Sequence, residues 1–160
     1  MQNLGLEEIV LATDASAIGR DCAILIVSVI YKKRALPVAW IISEGSKGHS
    51  SDRDHIRLIR EVGNMIPESA KRIILLGDGE FDGVGFRRTL ADMGWSYVCR
   101  TSGNILIFID KSKFHMSDIG FLIIPGFYRQ VRNIRFTNKK YGPVNVIVSW
   151  EDGYAAPIYL

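Results

Sequence analysis

The chain has 160 residues, long enough for a single domain to bury about two thirds of its unfolded surface. Hydrophobic residues make up 48% and charged residues 23%, which are ordinary values for a globular protein. No apolar run reaches the roughly 18 residues of a membrane-spanning helix, and no basic segment of a signal peptide precedes the first apolar run. Cys22 and Cys99 lie in apolar runs without metal-ligand spacing. We therefore expect buried free thiols in a reducing compartment, the cytoplasm, and no membrane partner.

Positive charge is concentrated in the second half of the chain. Residues 1–80 carry 10 Lys and Arg against 11 Asp and Glu, whereas residues 81–160 carry 10 against 6. Five basic residues follow one another with no acidic residue among them: Arg129, Arg132, Arg135, Lys139 and Lys140. The asymmetry indicates either a polyanionic partner or the solvated face of a β-ribbon, and both interpretations remain open.

The first hundred residues alternate apolar runs with turn signals. The runs predict strands at residues 9–13, 22–31, 36–42, 72–77 and 95–100. Helical spacing predicts one helix that begins at a capping box near Ser51 and ends at Pro67, and a second between Asp82 and Gly94. The order β-β-β-α-β-α-β predicts a mixed sheet covered by helices, because the later alternation requires crossovers between parallel strands. The run 22–31 is too uniformly apolar for one of its faces to lie in water.

After residue 104 the runs become short and predict a β-rich segment. Strands are expected at residues 105–110, 120–125, 127–132, 134–137, 144–150 and 156–160. We therefore expect an α/β core at residues 1–103 and a β-rich insertion subdomain at residues 104–160, after the fifth core strand.

Two core strands end at an acidic residue. Asp14 follows the first strand, and Asp78 follows the strand 72–77 at the start of an acidic, glycine-rich turn. If these strands are parallel neighbours, both side chains meet at the edge where open α/β sheets bind ligands. Two such carboxylates can hold Mg²⁺ or Mn²⁺, which completes its coordination with water and substrate phosphates. The alternative is that each aspartate only caps a strand or a turn.

Four segments resemble the catalytic core of bacterial insertion-sequence transposases of the DDE type, in the cut-and-paste branch with a β insertion. They are residues 11–16 (LATDAS), 31–40 (YKKRALPVAW), 73–83 (IILLGDGEFDG) and 94–101 (GWSYVCRT). The resemblance implies a ribonuclease-H-like mixed sheet with flanking helices, and it implies Asp14 and Asp78 as the first two members of a metal-binding acidic triad. The implied reaction is hydrolysis of a DNA phosphodiester and attack of a 3′-hydroxyl on target DNA. The implied partners are transposon ends, target DNA and, in the intact parent, a second subunit of a homodimer.

The sequence departs from this family in its third acid. The family pattern is a glutamate on a helix after the β insertion, within a Tyr…Arg…Glu…Lys motif. After Asp118 the only acids are Glu151 and Asp152, in a turn-like context that does not match. A DNA-end-binding domain ahead of the core is also lacking. We expect a transposase fragment that folds at least in part, exposes the sheet face which that helix would cover, and does not catalyse transposition alone.

Other polar residues are weaker candidates. Glu80 and Asp82 share a turn with Asp78, and either can supply a stand-in ligand; the alternatives are that Asp82 caps the next helix and that Glu80 faces solvent or pairs with a base. Arg100, at a strand end, is a candidate contact for a DNA phosphate or a salt-bridge partner. Three histidines lack metal-ligand spacing: His49, His55 and His115.

Two further classes of function are compatible with these residues. One is a self-contained ribonuclease-H-like nuclease that uses Asp14, Asp78 and either Glu80 or Asp82. The other is a non-catalytic nucleic-acid-binding protein that uses the basic segment 129–140.

Overall fold

The computed structural model describes residues 7–19, 21–44 and 52–160. The chain divides into two units, Met1–Cys99 and Arg100–Leu160, each with its own five-stranded sheet and hydrophobic core. In neither unit does a described helix have the length and apolar character needed to cross a membrane.

The first unit is a mixed α/β layer with the predicted order of elements. Its elements are β1 (Glu8–Ile18), β2 (Cys22–Tyr31), β3 (Arg34–Glu44), α1 (Asp52–Gly63), β4 (Arg72–Gly77), a 3₁₀ helix (Gly79–Phe81), α2 (Val84–Asp92) and β5 (Ser96–Cys99). The strand order is β3-β2-β1-β4-β5. The first three strands are antiparallel to one another, whereas β4 pairs in parallel with both β1 and β5. The two helices supply the crossovers that these parallel pairs require.

The helices cover only one face of this sheet. Leu11, Val27 and Leu75 point to that face and are fully buried with the apolar residues of α1 and α2. On the opposite face Ile26 of β2 is only half-buried, and Trp40 of β3 is exposed. The expectation that the run 22–31 is buried on both faces is therefore wrong for the described chain, because both helices pack on the same side.

Three predicted boundaries of the first unit are corrected. The first strand does not end before Asp14 but continues to Ile18, because β2 pairs with it along this whole length. Helix α1 ends at Gly63, well before Pro67, and the expected cap Ser51 lies outside the described residues. Helix α2 is not capped by Asp82: Gly83 occupies the N-cap position, without a side-chain hydrogen bond.

The second unit is an antiparallel sheet with one short helix. Its elements are β6 (Leu106–Ile109), β7 (Ser112–His115), α3 (Met116–Gly120), β8 (Phe127–Phe136), β9 (Tyr141–Trp150) and β10 (Ile158–Tyr159), and the strand order is β7-β6-β8-β9-β10. The strand expected at residues 120–125 is wrong. Gly120 is the last residue of α3, and residues 121–125 form turns and irregular chain. At the start of α3, the Asp118 carboxylate accepts the backbone N–H of His115 at 2.7 Å. The two strands expected at 127–132 and 134–137 are one strand with a bulge at Asn133, whose φ is 59°.

Because the helices cover only one face of the sheet, shortening a side chain should lower the free energy of unfolding more on that face than on the other. Leu75→Ala, at a side chain with 0% exposure beneath the helices, should lower the free energy of unfolding by about 2–5 kcal/mol. The control Ile42→Ala removes a side chain that is 59% exposed on the other face, and its cost should stay within about 0.5 kcal/mol. Hydrogen exchange of the β1 and β4 amides under native conditions measures both. Equal losses would mean that something covers the second face.

Candidate functional site

Asp14 and Asp78 lie at the same level of two neighbouring parallel strands. The β1–β4 pairing ends at Ala12 and Leu76, and each aspartate lies two residues beyond that last pair. Because side chains alternate along a strand, Asp14, which lies within β1, shares a face with Ala12, the face opposite to the helices. Asp78 lies one residue beyond the end of β4, and both aspartates are exposed. The structure thus brings the two aspartates to the same edge of the sheet.

Local hydrogen bonds orient both carboxylates. Asp78 is extended, with φ −85° and ψ −168°, and its Oδ1 accepts the backbone N–H of Glu80 at 3.0 Å at the start of the 3₁₀ helix. The hydroxyl of Ser16 donates to Oδ2 of Asp14 at 3.2 Å. Each bond holds one carboxylate oxygen and restricts the rotation of its side chain.

A close contact determines where β4 ends. A Cβ atom at Gly77 would lie 2.9 Å from Cβ of Phe81 and 3.3 Å from the sulfur of Cys99. The buried Phe81 ring therefore packs directly against the backbone that precedes Asp78, and only glycine leaves room for it. Burial also raises the pKa of the Cys99 thiol to about 11, so this cysteine stays a neutral packing group, as the sequence predicted.

Behind the acidic turn lies a buried histidine, His55, which the sequence did not predict as a site residue. The His55 side chain on α1 is 3% exposed, and its ring lies 4.8 Å from the Phe81 ring and 5.9 Å from the Phe86 ring, between centroids. Its Nε2 lies 3.8 Å from Oε1 of Glu80. Burial lowers the pKa of His55, and the nearby negative charge of Glu80 opposes that shift only in part.

Glu80 therefore points towards α1 and is not solvent-facing. Its side chain is only 16% exposed, and its Oε1 lies 3.8 Å from Nε2 of His55, a contact longer than a hydrogen bond. Asp82 ends the 3₁₀ helix, with φ −90° and ψ 6°, and is half-buried. Within residues 7–19, 21–44 and 52–160, no three His, Cys, Asp or Glu side chains form a cluster that could hold a metal ion.

The helical spacing of apolar residues in α1 could have identified His55 as a buried residue. It lies three, four and seven residues before Leu58, Ile59 and Val62, the buried stripe of α1. A histidine on the apolar stripe of a helix that crosses a sheet must be buried and needs a polar neighbour. The neighbour, Glu80, is 25 residues away in the sequence, so the stripe alone does not identify it.

The basic candidates all lie at the surface. Arg100 directly follows β5 and is the first residue of the second unit. The five others are on β8 or in the turn after it: Arg129, Arg132, Arg135, Lys139 and Lys140. They do not form a single stripe, because the strand alternation and the bulge at Asn133 distribute them over two faces and a turn.

The sequence matches no protein-family model, and it matches no curated protein. Among solved structures, the chain is similar to RNase H1 from the halophilic archaeon Halobacterium salinarum NRC-1. The alignment has 12% sequence identity and a TM-score of 0.34, and it covers 59% of this chain and 86% of that protein.

The buried His55 predicts a loss of stability in acid. Its pKa is lower in the folded state than the ordinary value of 6.5, so on acidification the unfolded chain takes up this proton first. The free energy of unfolding should therefore fall as the pH drops below 6.5, by at most about 1.4 kcal/mol per pH unit for this proton.

Urea unfolding of wild type and His55→Gln at a series of pH values between about 7 and 5 measures this contribution. The variant should show a shallower decline, because its side chain does not titrate. The control His115→Gln removes an exposed histidine of the second unit. A slope in His55→Gln as steep as in wild type would assign the acid sensitivity to other groups.

Proposed function

We propose that this chain is part of the catalytic core of a DDE-type transposase, in which Asp14 and Asp78 hold Mg²⁺ or Mn²⁺ for DNA phosphodiester hydrolysis and strand transfer. One observation carries the proposal: each aspartate lies two residues beyond the last pair of two neighbouring parallel strands, at the same edge of the sheet. The carboxyl ends of such strands are where open α/β sheets bind ligands. The resemblance of the segments around both residues supplies the family.

The donor set fits a magnesium-type ion. Such ions are commonly held by one or two carboxylates, with water and substrate phosphates completing the shell. When bound, the ion would polarise the phosphodiester and make an attacking water more acidic. The protein's own contribution is to orient both carboxylates, which the hydrogen bonds from Ser16 to Asp14 and from Glu80 to Asp78 favour.

The open face of the sheet supports the transposase interpretation. By the resemblance, a helix that bears the third acid would cover a face of this sheet. The face that carries Asp14 is the one without a helix among the described elements, and it exposes Trp40 and Ile42 at its edge strand. An apolar face of this kind favours a further packing partner. We propose that a glutamate-bearing segment packs there in the intact parent, and that the second unit corresponds to the β insertion.

The alternatives draw on different residues. A self-contained nuclease needs a third carboxylate beside Asp14 and Asp78, and the orientation of Glu80 towards His55 argues against that residue. We therefore propose that the purified chain binds the ion but does not cleave DNA. Metal-dependent DNA cleavage by the chain, abolished in Asp14→Asn, would contradict this. The basic residues of the second unit favour DNA as the partner. The two free cysteines of the chain, Cys22 and Cys99, fit a reducing compartment.

Metal binding is the direct test of the two-aspartate site. Titration of the purified chain with Mg²⁺, followed by NMR, should shift amide signals around residues 12–16 and 77–80. Asp14→Asn and Asp78→Asn should each weaken binding by at least about tenfold, because each removes one of two charged ligands.

The matched control is Asp92→Asn, which makes the same charge change at the far end of α2. It should leave the affinity unchanged. If Asp92→Asn weakens binding as much as the site variants, or if the shifts are spread over the surface, the ion is held by general charge and the proposal fails.

A further inference from the structure

The sheet of the second unit has one packed face and one open face. Val146 and Val148 of β9 are buried on the packed face, against α3. They lie directly opposite Val131 and Arg129 of β8, so these two residues belong to the packed side. The two residues that flank Arg129 in β8, Tyr128 and Gln130, point to the open face because side chains alternate along a strand. Arg129 therefore lies on the packed face, and its two neighbours lie on the open face.

The bulge at Asn133 places two arginines on the open face. Residues three apart in a regular strand point to opposite faces, yet Arg132 and Arg135 share one. Arg132 donates to the side chain of Gln130 at 3.1 Å, and Arg135 lies opposite Phe108 on the open side. The extra residue resets the alternation between the two arginines.

Two aromatic rings accompany these cations on the open face. Tyr128 is 74% exposed and precedes Arg132 by four residues, in alternation with Gln130. Phe108 of β6 is half-buried, and the ammonium of Lys140 lies 5.1 Å from its ring centroid. Lys113 of β7 lies opposite Phe108 and adds another exposed cation. We call these six residues the cation–aromatic face: Phe108, Lys113, Tyr128, Arg132, Arg135 and Lys140.

The cation–aromatic face has no opposing charge of its own. The second unit contains 8 Lys and Arg against 4 Asp and Glu. Its four acids lie on α3 or in turns: Asp110, Asp118, Glu151 and Asp152. Each cation on the face is exposed. The cations therefore produce a positive potential at this surface that favours a polyanion.

We infer that the cation–aromatic face binds single-stranded DNA, with bases stacked on Tyr128 and Phe108 and phosphates held by Arg132, Arg135 and Lys113. The choice of a single strand follows from the rings. Unpaired bases present their π-faces to an aromatic side chain, whereas a duplex buries them in its own stack. DNA as the partner rests on the proposed function, but the stacking geometry belongs to the second unit alone.

Affinity for a fluorescent oligothymidine of about 12 nucleotides, measured by anisotropy on the full chain, tests this inference. Tyr128→Ala should weaken binding by about fivefold or more, since stacking of one base contributes about 1–3 kcal/mol, and Tyr128→Phe should retain it. Arg132→Gln should weaken binding and reduce the slope of log affinity against log salt by about 0.7. A duplex of equal length should bind more weakly than the single strand.

Two control variants lie on the same strand but on the packed side. Arg129→Gln removes an equal charge opposite Val148, and Phe127→Ala removes a 62%-exposed ring opposite Trp150. Both should retain wild-type affinity for the oligothymidine. If they weaken binding as much as Arg132→Gln and Tyr128→Ala, or if poly-glutamate competes as well as the single strand, the face is only a general polyanion surface and the inference is wrong.

The outcome is separable from the metal site. Single-strand binding should persist without Mg²⁺ and in the Asp14→Asn, Asp78→Asn double variant. If the wild-type chain does not bind Mg²⁺ but binds the single strand as expected, the proposed function is rejected and the inference about the cation–aromatic face stands. If the chain binds Mg²⁺ at the two aspartates but Tyr128→Ala does not weaken strand binding, the inference is rejected and the proposed function stands.

Discussion

The candidate site depends on the parallel pairing of β1 with β4. This pairing joins segments 64 residues apart, from Glu8 with Arg72 to Ala12 with Leu76. A parallel pair needs a crossover connection, which here includes α1, and the same helix buries the packed face of the sheet. A shift of one residue in register would turn one aspartate away from the other. The packing of Leu11 and Leu75 beneath the helices therefore sets the relation between Asp14 and Asp78.

The acidic turn connects this surface site to the core. Asp78 is exposed and caps the 3₁₀ helix, whereas the side chain of Glu80, two residues later, turns towards His55 under the helices. The change of direction occurs within one 3₁₀ turn, which Phe81 anchors against Gly77. Substitutions at Gly77 or His55 would thus act on the orientation of Asp78 through packing, with no direct role in binding an ion.

The two units expose different kinds of surface. In the first unit the open sheet face exposes the large apolar side chains Trp40 and Ile42 at its edge strand, which favours a packing partner. In the second unit the open face combines cations and aromatic rings, which favours a polyanion with stackable bases. A bulge of one residue produces the second surface, because without it Arg132 and Arg135 would lie on opposite faces.

Local pattern was enough to predict the order of elements in the first unit, the limits of β2 and the acidic turn that follows β4. Apolar runs and turn residues act over a few positions, and the sequence displays them directly. It did not predict the continuation of β1 past Asp14, the helix α3 before residue 121, the burial of His55 beside Glu80, or the distribution of Arg129, Arg132 and Arg135 over two faces. Three of these depend on contacts with another element: β2 for β1, the 3₁₀ turn for His55, and β9 for the bulge of β8. Sequence alone thus determined which residues can carry charge or metal ligands, and the tertiary structure decided which of them share a face, because strand register and one-sided helix packing are settled only when distant segments meet.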